Sequence, residues 1–234
     1  PYFSRAKAGH KNYHLFLSAI SIGFKFTKNP IRIFRAIRKA IKAHNEHYEK
    51  LIISDETLKR WENSEIFLNH PPKDIPGEKP VKIALVGHSY VLNDGYSSLD
   101  IRKKLQELGA DIITSEQMPR HLIEEQMAKL DFNMYFDYER EILGTIMHFL
   151  ESKTVDGIIH MMIFSCGPDS IAGEMASRFA KRDQHVQLLQ LVLDDLTAEA
   201  GLKTRVEAFV DMLKRREQKS AIHIPALRIS EIRV

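Results

Sequence analysis

Four short apolar runs, separated by amphipathic segments, form the pattern between residues 81 and 213. The runs cover residues 81–86, 110–114, 157–164 and 186–193, and each has the length of a strand. The segments between them repeat apolar residues at helical spacing, as Ile142, Ile146 and Phe149 do in a segment that starts near Asp137. Strands that are apolar throughout are typical of a parallel sheet covered by helices on both faces. The pattern therefore predicts an α/β domain with a Rossmann-like or flavodoxin-like parallel sheet.

The first third of the chain has a helical pattern instead. Asn29 and Pro30 are typical of a helix start. Apolar residues then recur at helical spacing on one face, at Ile33, Phe34, Ile37, Ala40 and Ile41. The opposite face is basic, which would suit an anionic membrane, a nucleic acid or an acidic partner. The same pattern is typical of a surface helix packed on its own domain, and this is the interpretation that we adopt.

Residues 69–80 are predicted to be a linker, because they contain four prolines, which cannot continue a helix. The predicted organisation is a helical arm, or the remainder of a preceding domain, over residues 1–68, then the linker, then the α/β domain over residues 81–234. Within the arm, Ser54 is a typical N-cap for a second helix. Residues 221–234 fit either an edge strand or a tail.

Composition is ordinary for a globular protein, with 44% hydrophobic and 28% charged residues. The sequence has no run long enough to span a bilayer, no secretory signal and only one cysteine, so we expect a cytoplasmic protein without a membrane span.

Residues 1–50 contain eleven Lys and Arg against two Glu, a net charge of +9, whereas the remainder has 23 basic and 29 acidic residues, a net charge of −6. The chain begins with proline rather than methionine, which we interpret as the start of a fragment.

Chemically useful side chains follow three of the predicted strands, at the carboxyl ends where ligands bind in α/β folds. His88 and Ser89 follow the first strand. The cysteine, Cys166, follows the third strand and precedes Gly-Pro168-Asp169, which can open a helix whose N–H groups and dipole favour a thiolate.

An acidic loop follows the fourth predicted strand. It contains Asp194, Asp195, Thr197 and Glu199. Its oxygen atoms could bind a cation, transfer a proton or hold a substrate group. We predict that Asp194, Cys166 and His88 lie at one edge of the sheet, because each follows a strand that runs in the same direction.

Each candidate also has a structural interpretation. A lone cysteine is usually a buried core residue, and Asp or Thr before a helix usually caps it. The residues alone do not decide between these roles, and they identify no catalytic residue. Gly87-His88-Ser89 lacks the glycine spacing of a dinucleotide fingerprint, which argues against a nicotinamide cofactor.

Three blocks of the sequence carry a family resemblance. In residues 81–90, a predicted strand is followed by Gly-His-Ser-Tyr. In residues 156–170, a predicted strand is followed by a loop that contains Cys-Gly-Pro-Asp. Residues 193–213 contain Leu-Asp-Asp-Leu-Thr-Ala-Glu-Ala-Gly. Together they resemble the D-component family of 2-hydroxyacyl-CoA dehydratases, and more closely the uncharacterised acyl-CoA dehydratase activase-related proteins. Ser89 and Leu196 replace the proline and histidine usual in that family. The family's N-terminal domain, with its additional cysteines, has no counterpart in this sequence.

The resemblance implies that Cys166 is one ligand of a [4Fe–4S] cluster in the intact protein. This chain, with its single cysteine, is expected to hold no cluster alone. The implied partners are an ATP-dependent activase or a homologous cluster-bearing subunit, with acyl-CoA as a ligand and no specific nucleic acid. Two functions remain possible. The chain is either a cluster-bearing dehydratase or reductase component that receives electrons from the activase, or a non-catalytic interaction or regulatory module associated with the activase.

Overall fold

The computed structural model describes residues 13–69, 80–182 and 185–221, and a parallel sheet lies at its centre. The four strands of the sheet are β1 (Val81–Gly87), β2 (Ala110–Thr114), β3 (Gly157–Ile163) and β4 (Gln187–Leu193). Each strand agrees with a predicted apolar run to within one residue at either end. All neighbouring strands pair in parallel, so the predicted Rossmann-like or flavodoxin-like α/β class is confirmed.

Helices precede, connect and follow the strands. In chain order they are α1 (Tyr13–Phe26), α2 (Pro30–Leu51), α3 (Asp55–Glu62), α4 (Ser89–Asn93), α5 (Ile101–Glu107), α6 (Arg120–Met127), α7 (Asp137–Ser152), α8 (Gly167–Arg182) and α9 (Glu199–Ala221). A short 3₁₀ turn, Ser115–Gln117, follows β2. Gly109 ends the α5 segment at a φ of 82°, a left-handed conformation that glycine adopts without steric cost.

The strand order, β2-β1-β3-β4, creates a topological switch point in the middle of the sheet. The chain moves outward from β1 to β2 and then returns past β1 to β3, so the connections that leave β1 and β3 diverge. Gly87 at the end of β1 is in register with Met161 of β3. In open parallel sheets the crevice at such a point, outside the carboxyl ends of the strands, is where ligands bind.

The sheet is covered on both faces, which explains its apolar strands. Val81, Ile83 and Leu85 of β1 share a buried cluster with apolar side chains of α5 and α9. On the other face α7 packs against β1, and α8 packs against β3. Burial of alternate residues on opposite faces requires apolar side chains at nearly every strand position.

Residues 54–69 are fixed to the sheet through a buried carboxylate. Asp111 of β2 accepts hydrogen bonds from the Trp61 indole of α3 and from the backbone N–H groups of Leu68 and Asn69, the last two at 3.2 Å. Ser54 caps α3 as predicted, since its side chain accepts from Thr57 N at 3.1 Å. The contacts divide the chain into two units between Ile53 and Ser54, so α3 belongs to the unit that contains the sheet. The predicted linker stays a prediction, because residues 70–79 lie outside the described part of the chain, as do residues 222–234.

The first unit contains the helix pair α1 and α2. Asn29 caps α2 as predicted, because its Oδ1 accepts from the backbone N–H groups of Ile31 and Arg32. Ile33 is buried, with 4% of its surface exposed, and its side chain packs against Gly23 of α1. Phe34, on the apolar face that the sequence predicts, contacts the Phe16 ring but is 51% exposed, so it is not a buried residue of this helix. None of the described helices combines the length and apolar character needed to cross a bilayer.

Candidate metal centre

Cys166 is presented by a tight turn between β3 and α8. Ser165 adopts a left-handed φ of 64°, and Cys166 N donates to the carbonyl of Ile163 at 3.2 Å, which turns the chain sharply after the strand. The Cys166 carbonyl accepts from both the N–H and the hydroxyl of Ser170, at 3.0 and 2.8 Å. Pro168, the second residue of α8, has its φ fixed at a helical value. The partly buried thiol therefore lies at the N-terminal end of a 16-residue helix.

Asp169 stabilises this turn through two hydrogen bonds. Its carboxylate is fully buried and accepts from Ile163 N at 3.0 Å and from His160 Nε2 at 3.0 Å. One hydrogen bond ties the start of α8 to the end of β3, and the other ties it to the middle of the strand. Asp169, which lies in one of the loops that follow the predicted strands, thus stabilises the cysteine turn through these hydrogen bonds.

His88 follows β1 and lies in an apolar and aromatic environment. The residue is 5% exposed, and the centroid of its ring is 5.3 Å from that of Tyr90 and 4.9 Å from that of Tyr138. Ser89, the first residue of α4, directs its hydroxyl toward the Tyr138 hydroxyl at 3.4 Å. Both nitrogens of the His88 ring are buried without a hydrogen-bond partner among the described residues. A buried imidazole with two unpaired nitrogens is unusual, because buried polar groups are nearly always paired.

Glu139 brings a carboxylate to the same place. It lies in the first turn of α7, is 3% exposed, and has its Oε1 3.7 Å from His88 Nε2. Burial raises the pKa of Glu139 above its ordinary value. One donor atom from each of His88, Glu139 and Cys166 lies within 4.8 Å of the other two. We call these three residues the donor group.

The donor group lies at the switch point of the sheet. His88 and Cys166 follow β1 and β3, the two strands that flank the switch point, so the sequence-based expectation that they share one edge of the sheet is confirmed. Glu139 was missed by sequence reasoning. A signal was present, since Glu139 lies three and seven residues before Ile142 and Ile146 and so occupies a core-facing position of α7. A carboxylate at such a position is rarely buried without a functional or structural partner.

The acidic loop after β4 lies at the same carboxyl edge but is not part of the donor group. Asp194 Oδ1 accepts from Leu196 N at 2.9 Å and from the Thr197 hydroxyl at 2.8 Å, and Asp194 N donates to the Thr197 oxygen at 2.8 Å. Asp194 and Thr197 thus close a turn on each other, and the helix cap that the sequence suggested for them is not among these bonds.

The remaining acidic side chains of this loop point outward. Glu199 pairs with Lys104 Nζ at 2.8 Å, which lowers the pKa of Glu199, and Asp195 is exposed. A separate open cavity of about 360 Å³ lies beside the loop, between the end of β4 and α9. Its lining includes Leu193, Leu196 and Arg205.

A comparison with protein families identifies the chain. Residues 2–118, half of its length, match the model of the CoA enzyme activase uncharacterised domain (DUF2229). The chain belongs to this family. No curated protein matches the chain. The family match supports the activase-related part of the resemblance seen in the sequence, and it includes β1 and His88 but ends before Glu139 and Cys166.

The residues of the chain do not by themselves complete the cluster that the resemblance implies. A [4Fe–4S] cluster is normally held by four thiolates, with occasional replacement of a thiolate by another ligand. The sequence contains one cysteine, and the donor group adds an imidazole and a carboxylate. Such a cluster would need thiolates from another subunit or from sequence outside these residues.

Proposed function

We propose that this chain is the metal-bearing component of an activase-dependent, acyl-CoA dehydratase-like system. In this role it receives electrons from an ATP-dependent activase, and Cys166 is one ligand of an iron–sulfur cluster in the intact protein. The family match supports the association with CoA-enzyme activases. The observation that carries the proposal is the position of Cys166 beside His88 and Glu139 at the switch point of the sheet.

The environment of the thiol is suited to metal binding. Cys166 is only partly buried, so a cluster completed by thiolates from another chain can reach it. It lies at the start of α8, and the turn that carries it is fixed by Asp169 and Ser170. A sulfur ligand held at a fixed position by these hydrogen bonds needs little reorganisation when a metal binds.

The test is anaerobic reconstitution of the protein together with a CoA-enzyme activase, ferrous iron and sulfide. Acid-labile sulfide and visible absorption report the cluster, and ATP-dependent bleaching of that absorption reports electron transfer. We expect Cys166→Ala to lose most of both signals. Ser165→Gly is the matched control, because it keeps the left-handed turn and the thiol. Retention of the full iron and sulfide content in Cys166→Ala would refute the role of this residue.

A second candidate function is a non-catalytic interaction module, and the helix pair α1 and α2 favours it. Ile22, Phe24 and Phe26 of α1 are exposed, and α2 carries Arg35 and Lys39 on its surface. Apolar and basic side chains exposed together are typical of surfaces that bind partners. In this case activase binding should weaken in an Arg35→Gln, Lys39→Gln variant and should be unchanged by Cys166→Ala.

A further inference from the structure

Three donors of different chemistry meet at the switch point of the sheet, and each comes from a different part of the fold. His88 follows β1, Glu139 lies in the first turn of α7, and Cys166 directly precedes α8. Their donor atoms lie within 4.8 Å of one another, although the residues are separated by 51 and 27 positions in the sequence (139 − 88 and 166 − 139). Donor atoms that come together from separate parts of the sequence are typical of a binding site rather than of packing between residues close in sequence.

The imidazole of His88 provides an observation that is independent of the cysteine. It is more than nine-tenths buried, and neither of its nitrogens has a hydrogen-bond partner among the described residues. Burial of two unpaired nitrogens costs free energy, and a ligand that accepts a lone pair from one of them would remove part of that cost. The nearest carboxylate oxygen, on Glu139, is 3.7 Å from His88 Nε2, which is too far for a hydrogen bond.

The spacing of the donors matches that of ligands around one small metal ion. Tetrahedral bonds of about 2.0–2.3 Å place neighbouring ligand atoms about 3.3–3.7 Å apart. The separation of His88 Nε2 and Glu139 Oε1, 3.7 Å, already meets this requirement. The remaining separations, at most 4.8 Å, need a shift of about 1 Å, which a side-chain rotation supplies.

The chemistry of the donors selects the class of ion. One imidazole, one carboxylate and one thiolate suit borderline divalent ions such as Zn²⁺, Fe²⁺ and Co²⁺. Mg²⁺ and Ca²⁺ prefer oxygen ligands and are disfavoured by the thiolate and the imidazole. The two negative ligands, Glu139 and Cys166, balance the charge of a dication. Three protein ligands leave a coordination position for water or a substrate atom.

We infer that His88, Glu139 and Cys166 form a binding site for a single divalent transition-metal ion of the zinc and ferrous-iron class. The inference deepens the proposed function, since it rests on the same site and names the metal that this chain holds without thiolates from elsewhere. It differs from a cluster in a measurable way, because the bound species contains one metal ion and no sulfide.

The test uses the full chain, freed of metal with a chelator and kept reduced. Addition of Zn²⁺ should give one tightly bound ion per chain and raise the melting temperature, because a ligand that binds only the folded state stabilises it. Addition of Co²⁺ should produce a thiolate-to-cobalt charge-transfer band in the near ultraviolet. Cys166→Ser should abolish that band, and His88→Gln and Glu139→Gln should each weaken Zn²⁺ binding at least tenfold. His121→Gln, which alters an exposed imidazole beside Asp55, is the control and should bind Zn²⁺ like the wild type.

Circular dichroism separates loss of a ligand from loss of the fold in each variant. The inference is overturned if the folded wild type binds no stoichiometric Zn²⁺ or Co²⁺. It is also overturned if folded Cys166→Ser and His88→Gln both bind Zn²⁺ like the wild type. The two proposals can fail separately. Zn²⁺ binding without ATP-dependent reduction of any reconstituted cluster would refute the proposed function alone, and a cluster that forms in a protein unable to bind Zn²⁺ would refute this inference alone.

Discussion

Replacement of Asp169 by alanine should destabilise the protein strongly, because a buried imidazole donor and a partly buried backbone donor depend on its carboxylate. Ile163 N and His160 Nε2 each donate to it at 3.0 Å, and both Asp169 and His160 are completely buried. A buried donor left without a partner costs about 1–3 kcal/mol. Loss of a negative charge in the first turn of α8 adds about 0.3–1 kcal/mol. We therefore expect a loss of about 3–5 kcal/mol, a large share of the roughly 5–15 kcal/mol that stabilises a typical domain.

Urea denaturation measures this loss. With an m-value of about 2 kcal/mol/M, a loss of about 3 kcal/mol lowers the unfolding midpoint by about 1.5 M. Asp169→Asn keeps one acceptor oxygen but directs an amide N–H₂ group toward a donor, so it should lose a smaller amount. Asp195→Ala removes an exposed carboxylate from the neighbouring loop and serves as the control, with an expected change below about 0.5 kcal/mol.

The same substitution should loosen the turn that carries Cys166. Asp169 joins the start of α8 to Ile163, which accepts the N–H of Cys166 through its carbonyl. The thiol should therefore react faster with a thiol reagent in folded Asp169→Asn than in the wild type. An Asp169→Ala variant within about 1 kcal/mol of the wild type, with unchanged thiol reactivity, would refute this account of the turn.

Three further predictions concern other buried groups. Burial opposes ionisation of Glu62, but hydrogen bonds from His148 and Thr154 outweigh it and lower the pKa of Glu62 below 4.5. This contribution to stability is present above pH 4.5 and is lost as the pH falls through the lowered pKa, so acid unfolding should show a smaller pH dependence in Glu62→Gln. Asp111→Ala should cost about 3–5 kcal/mol in urea denaturation, because it leaves the Trp61 indole and two backbone donors unpaired, whereas an unchanged midpoint would refute this. Within α2, Ile33→Ala should speed amide hydrogen exchange far more than Phe34→Ala; equal effects would show that burial does not decide the stability of this helix.

The sequence by itself determined the strands, most of the helices and the class of fold. Apolar runs such as residues 157–164 predicted the strands because burial of both faces of a parallel sheet leaves a local signature in the pattern. Helix starts at Asn29 and Ser54 were also predictable, since an N-cap side chain bonds to N–H groups two or three residues away. His88 and Cys166 were also predictable as candidate site residues, because their positions at the ends of parallel strands place them at one edge of the sheet.

Only the tertiary structure decided the strand order, the membership of the donor group and the roles of Asp169 and Asp194. Glu139 reaches His88 because α7 packs on the face of the sheet beside β1, and nothing in the sequence near Glu139 specifies that packing. Asp169 and Asp194 have the same chemistry and both follow a strand, yet Asp169 is buried beneath the Cys166 turn, whereas Asp194 closes an exposed turn. The physical reason is the range of the interactions: capping and periodicity act over a few residues, whereas burial, pKa shifts and metal-ligand geometry depend on groups that the fold brings together across the chain.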